Sequence, residues 1–156
     1  MRTFVYRAKF EPGNKRGVVV VSFSDVPEAI TEGHGEAEAC VNAQEALGLA
    51  LLSYMARGMT LPRAKARGGV PVTVEPGIAA KLALLEALQT SNISKSELAR
   101  RLGKDEKEVR RILDPRHATK LGTLTSALRA LGRTLVIGVE RERARGMPGT
   151  TAHLSP

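Results

Sequence analysis

The sequence predicts an α+β protein: a small β-rich unit crossed by one helix, then an all-helical unit that ends in a short strand. Three observations carry this. Apolar residues recur at every second position near the start, as in a half-buried strand. Between about residues 36 and 57 they recur at every third or fourth position, as in an amphipathic helix. Beyond Gly77, strong helix formers and helix-capping signals succeed one another as far as Gly132.

Residues 3–10, TFVYRAKF, place Phe4, Tyr6, Ala8 and Phe10 on one face and read as the first strand. PGNKRG is a turn by composition. GVVVVSFSD is apolar and β-branched, a central strand that forms a hairpin with the first. Val26-Pro27 ends it, and AITEG, 29–33, supplies a short third strand. Cys40, Ala43, Leu47, Ala50 and Tyr54, with Val41, Leu51 and Met55 alongside, mark the apolar side of the long helix, and Gly58 is placed to stop it. TLPRAKARGG, 60–69, is a loop carrying Arg63, Lys65 and Arg67. VPVTVEP, 70–76, is one more short strand, cut off at Pro76-Gly77. The first unit, 1–76, is thus β-β-β-α-β.

The second unit, 77–140, opens with IAAKLALLEAL, a strong helix over 78–88. Ser94 with Glu97, and Asp105 with Glu108, have the spacing of capping boxes and start helices at about 95 and 106. Gly103 sits between them, where a left-handed residue commonly ends a helix. A fourth helix covers about 121–131. TLVIGVE, 134–140, is then a lone strand that needs an edge to pair with, for which the same strand of a second subunit is the candidate. Residues 141–156 read as a disordered tail.

Composition sets limits. The chain has 156 residues, enough for one ordinary domain or two small ones. With no Trp and five Phe or Tyr, the core must be built of Leu, Val, Ile and Ala. The single cysteine, Cys40, excludes an internal disulfide, fits a reducing compartment and reads as core filler. No run approaches the roughly 18 apolar residues of a membrane span, and the first residues lack the apolar block of a signal peptide, so a cytoplasmic protein without a membrane partner is expected. The net charge of +8 is uneven. Residues 1–70 hold nine Lys/Arg and seven Asp/Glu, a balance of +2, and residues 71–156 hold fifteen and nine, a balance of +6. The second unit therefore favours a polyanion.

The helices starting near 95 and 106 match a DNA-binding helix–turn–helix. Leu98, Ala99 and Leu102 point inward from the first, and Val109, Ile112 and Leu113 from the second. A small Ala99, then Gly103, Val109 and Ile112 stand at the spacing that lets two helices cross closely. The second helix would lie in a major groove. Arg110 and Arg111 are the candidates for reading guanine, because arginine can grip O6 and N7 together. Lys104, Lys107 and Arg116 are better placed for phosphates, and Ser96 for a backbone contact. Glu106 and Glu108 would oppose phosphate unless turned aside.

A catalytic site does not assemble from this sequence. A metal-dependent nuclease needs several converging carboxylates, and only Glu11 and Asp25 lie at the ends of the long strands. His34, His117 and His153 are far apart and lack metal-ligand spacing. His117 lies among basic residues, where a phosphate contact and a plain surface position are equally open. No phosphate-binding glycine loop is present. No enzyme activity, metal or cofactor is expected.

In order and spacing, YRAKFEPGNKRGVVVVSFSDVPEAITEG, EAEACVNAQEALGLAL, VPVTVEPGIAAKLALLEAL and SKSELARRLGKDEKEVRRILD resemble a HicB-type antitoxin with a C-terminal helix–turn–helix, over about residues 3–140. The resemblance implies that the first unit is a partial RNase H-like fold without the nuclease's acidic set. It implies that this unit binds a small HicA-type toxin, a basic mRNA-cleaving ribonuclease, and masks its catalytic His. It also implies that the second unit represses the toxin–antitoxin operon on operator DNA as a dimer, with a tetramer equally allowed. The family commonly has Pro-Gly where this chain has Pro27-Glu28, and often Asp where it has His34. No toxin-contact residue is carried over. The competing readings are a stand-alone helix–turn–helix regulator whose first unit senses a small ligand and, third, a metal-dependent nuclease.

Overall fold

The computed structural model describes residues 1–141, so the predicted tail, apart from Arg141, lies outside the described residues. The first two strands, β1 (Val5–Pro12) and β2 (Val18–Phe23), form the expected antiparallel hairpin, with Ala8 opposite Phe23 and Phe10 opposite Val21. A third strand, β3 (Thr31–His34), pairs with β2, and a fourth, β4 (Val70–Thr73), pairs with β1; both are antiparallel, giving the order β3-β2-β1-β4. The third strand begins two residues later than its sequence suggests. Ala29 is instead in a turn, its N–H on the carbonyl of Val26 at 2.9 Å and its side chain buried.

The long helix, α1 (Gly35–Ala56), crosses one face of the sheet. Tyr6, Ala8, Val21 and Phe23 meet Ala39, Ala43, Leu47 and Leu51 there, in a mainly aliphatic core whose fully buried rings are Tyr6 and Phe23. Gly33 lets β3 approach α1, since a Cβ at that position would stand 2.4 Å from the backbone nitrogen of Ala39. The helix ends where expected, with Gly58 at φ +68° and its N–H on the carbonyl of Met55. Val41 does not join the core. It lies about 200° around the helix from both Ala39 and Ala43, and 65% of its surface stays exposed.

Glu28, before β3, and His34, at its end, differ in what their side chains do. The carboxylate of Glu28 accepts a 2.8 Å hydrogen bond from the Tyr54 hydroxyl, pinning the β2–β3 connection to α1. That bond is the main reason the Glu28 carboxyl titrates below its usual value. His34 occupies the N-cap of α1 and makes no side-chain capping bond, a place where an aspartate could accept one.

The next helix, α2 (Pro76–Thr90), starts two residues before the sequence places it, and β4 stops at Thr73. Pro76 opens the helix instead of closing the strand. Proline suits a first helical position, whose N–H has no partner in the helix anyway. The Glu75 carboxylate caps the end, accepting from the N–H groups of Gly77 (3.0 Å) and Ile78 (2.9 Å).

α2 belongs to two cores at once. Ile78, Ala79 and Leu82 pack on the sheet cluster. Ala80, Leu84, Leu85 and Ala87 pack with α3 (Lys95–Leu102), α4 (Glu106–Ile112) and α5 (Leu121–Ala130) in a second cluster. Arg2, three residues ahead of β1, pairs with Glu86 of α2 at 3.2 Å, and Gln89 donates to the carbonyl of Gly58 at 3.1 Å.

The predicted strand over 134–140 is not formed in the single chain. These residues carry no ladder; Leu135 rests on the helical core, while Val136, Ile137 and Val139 are 68%, 56% and 97% exposed. A strand exists only through hydrogen bonds to a neighbour, and the sheet β3-β2-β1-β4 does not take this segment in. Among the described residues, no helix is long and apolar enough to cross a membrane.

Candidate nucleic-acid interface

Local chemistry sets up the α3–α4 pair. The Ser94 hydroxyl accepts from the Glu97 N–H at 3.0 Å, and the Asp105 carboxylate accepts from the Glu108 N–H at 2.7 Å. Each cap satisfies one of the orphan N–H groups of a helix start. Only this half of each capping box is made. The carboxylate of Glu97 turns to Arg100 and Arg101, and that of Glu108 turns to Lys104. Gly103 has φ +62° and ψ +33°, the left-handed conformation that lets the chain reverse in three residues.

The inward set is as the sequence reads it. Leu98 and Val109 are fully buried, and Ala99, Ile112 and Leu113 nearly so; Leu102 is half-buried. With Val109, Ile112 and Leu113 held in the core, the opposite side of α4 must face solvent. That side carries Lys107, Arg110 and Arg111, all exposed, and Arg116 follows just beyond the helix.

These cations differ in readiness. Lys107 and Arg111 have no acidic partner among the described residues. Arg110 lies 3.5 Å from Glu106, one turn earlier. Lys104 is tied to Glu108 at 2.5 Å and is only half-exposed. Arg116 sits 3.8 Å from Asp114, in a looser pair. Ser96 donates to Glu106 at 2.6 Å, joining the start of α3 to the start of α4. Glu106 and Glu108 are therefore each occupied by neighbouring side chains. Neighbouring cations offset part of the repulsion these acids would exert on an approaching polyanion.

One participant was illegible in the sequence. Lys81 lies inside the apolar run IAAKLALLEAL and is 97% buried. Its ammonium donates to the carbonyl of Ile112 at the end of α4, to the carbonyl of Asp114 at 3.2 Å, and to the Thr119 hydroxyl at 2.7 Å. The available signal was a lysine with Ile78, Leu82, Leu84 and Leu85 around it on the helix.

The two acids at the strand ends do not converge. Glu11 is exposed on β1 opposite Val20. Asp25 holds the 60–69 loop, its carboxylate accepting from the N–H groups of Lys65 (2.9 Å) and Ala66 (2.8 Å). Among the described residues, no three His, Cys, Asp or Glu side chains gather as metal ligation would require.

The chain is thus a two-core α+β protein in which one shared helix joins a sheet unit to an exposed basic helix pair. No family model matches it. It is 38% identical over 130 residues to Antitoxin HicB 2 of Photorhabdus laumondii, covering 83% of this chain and 92% of that one. It is 37% identical over 121 residues to Antitoxin HicB of Escherichia coli K12, covering 76% and 88%. Antitoxin HicB of Pseudomonas fluorescens is 31% identical over 139 residues, covering 87% and 95%. The chain belongs to the HicB antitoxin family.

Proposed function

We propose that this protein is an antitoxin that binds and neutralises a HicA-type mRNA-cleaving ribonuclease toxin, and that it represses its own operon by binding operator DNA. Kinship with the HicB antitoxins supports the first role. The sheet unit, 1–76, is the toxin-binding domain, a partial RNase H-like fold that carries no catalytic function. With nine Lys/Arg against eight Asp/Glu it bears only +1 of the net charge and leaves the positive excess to the other unit, so a basic partner meets little repulsion there.

The observation that carries the second role is the α4 surface. Lys107, Arg110 and Arg111 are exposed on a helix whose other side is locked into the core, with Lys104 and Arg116 flanking it. Arg110 and Arg111 read bases; Lys104, Lys107, Arg116 and Ser96 hold the backbone. The working form is a dimer, or a tetramer, in which TLVIGVE pairs with the same segment of a second copy. The ladder missing from 134–140 supports this, because pairing would satisfy its backbone and cover Val136, Ile137 and Val139.

The test is co-expression with the small protein encoded beside it, followed by affinity purification, a growth assay, and a mobility-shift assay on the DNA upstream of the two genes. A stoichiometric complex that restores growth, together with a specific shift, is expected. Absence of both a complex and a toxic neighbour would refute the antitoxin role, and absence of a shift would refute repression.

A further inference from the structure

Lys81 is costly where it stands. Burial pushes its ammonium below the usual lysine value, opposed by the nearby Asp114 carboxylate. A leucine of similar volume would avoid that desolvation. What a leucine could not supply is direction. The ammonium has three N–H donors, and here all three have acceptors: the carbonyls of Ile112 and Asp114 and the hydroxyl of Thr119. They span both ends of the connection between α4 and α5.

That connection is short and self-bonded. Asp114 accepts from the Arg116 N–H at 2.9 Å through its side chain and from the His117 N–H at 3.1 Å through its carbonyl. The connection also carries Arg116, exposed to solvent four residues after the end of α4. The helix itself has seven residues, too few to hold its own ends in water, and a cation at its C-terminus complements the helix dipole. Lys81 belongs to the helix whose Ile78 and Leu82 pack on the sheet core. The loop is therefore fixed relative to the sheet unit as well as to α4.

From this geometry we infer that Lys81 is a positioning residue for DNA binding: its buried ammonium sets the C-terminal end of α4 and the 113–119 loop so that Arg116 meets a phosphate in register with the base-reading arginines. This rests on the DNA-binding reading above.

The test uses the full chain and two labelled duplexes, one from the region upstream of its own gene and one of shuffled sequence. Lys81→Met should weaken binding to the upstream duplex roughly tenfold, and Thr119→Val, which removes one acceptor and leaves the lysine, about threefold. A merely structural lysine would weaken binding whatever stands at position 116. Positioning predicts that the losses largely disappear in an Arg116→Ala background, because the group being positioned is gone. If Lys81→Met does not fold, Thr119→Val alone and with Arg116→Ala decides the matter. Wild-type affinity in the single variants, or losses that add in full to that of Arg116→Ala, would overturn the inference and leave DNA binding intact. A wild-type chain that binds neither duplex would overturn both.

Discussion

Replacing Arg111 with alanine should weaken binding to the specific operator by about 1–3 kcal/mol and leave binding to shuffled DNA nearly unchanged. The expectation comes from its surroundings. Arg111 is exposed and has no acidic partner among the described residues, so its guanidinium gives up no ion pair when it grips a guanine. Arg110 starts from a different state. It lies 3.5 Å from Glu106, with side chains 70% and 51% exposed. An exposed pair of that kind is worth roughly 0.2–1 kcal/mol, and it is surrendered on binding. Arg110→Ala should therefore cost less than Arg111→Ala by about that amount. Glu106→Gln, which removes the competitor, should strengthen binding to both duplexes slightly. The assay is fluorescence anisotropy at one fixed salt concentration, first on operator and shuffled duplexes, then on operators changed one base at a time. Equal losses on both duplexes for Arg111→Ala would show that it holds phosphate and would refute the base-reading assignment. A larger loss for Arg110→Ala would refute the role given to Glu106.

Hydrogen bonds from Arg100, and then Arg101, lower the Glu97 carboxyl to about 2 from 4.5. A lowered carboxyl contributes stability that is present above 4.5 and lost as pH falls toward 2. The Tm difference between wild type and Glu97→Gln should accordingly shrink over that window; a difference independent of pH would refute the linkage. Ile137→Pro removes a backbone donor from the middle of TLVIGVE, and since Ile137 is 56% exposed it should leave the monomer's stability nearly unchanged. Light scattering should then report monomers in place of dimers, and a dimeric variant would refute strand pairing. Ala99→Leu adds bulk at a position 4% exposed between α3 and α4; urea denaturation should show a loss of about 1–3 kcal/mol, and an unchanged midpoint would mean the crossing is not closely packed.

The parts that were legible act over a few residues. Phe4, Tyr6, Ala8 and Phe10 alternate as a pleated strand must, and all four join the sheet core. The Ser94 and Asp105 caps each reach three residues along the chain, and Gly103 needs only its own backbone freedom. A side chain's choice at this range is made by the helix or turn it sits in, so spacing reveals it. The same range explains the misplacements. Val41 stands beside Cys40 and Ala43 in sequence, but Glu38, Gln44 and Glu45 are its neighbours on the helix surface, and packing set the face that meets the sheet. Ala29 was drawn into a turn that ends with its own burial.

Short-range pattern was enough for the order of elements from β1 to α5, the caps and turn of the α3–α4 pair, and the surplus of positive charge in the second half. Contacts between distant segments set the rest. Asp25 meets a loop 40 residues away, and Lys81 meets acceptors 31 and 38 residues away. Whether 134–140 is a strand depends on a partner edge, and the segment joins no strand of the described sheet. The physical reason is common to all three. A buried charge or an open backbone is settled by groups that approach only when the chain closes on itself, and no periodicity within one element contains them.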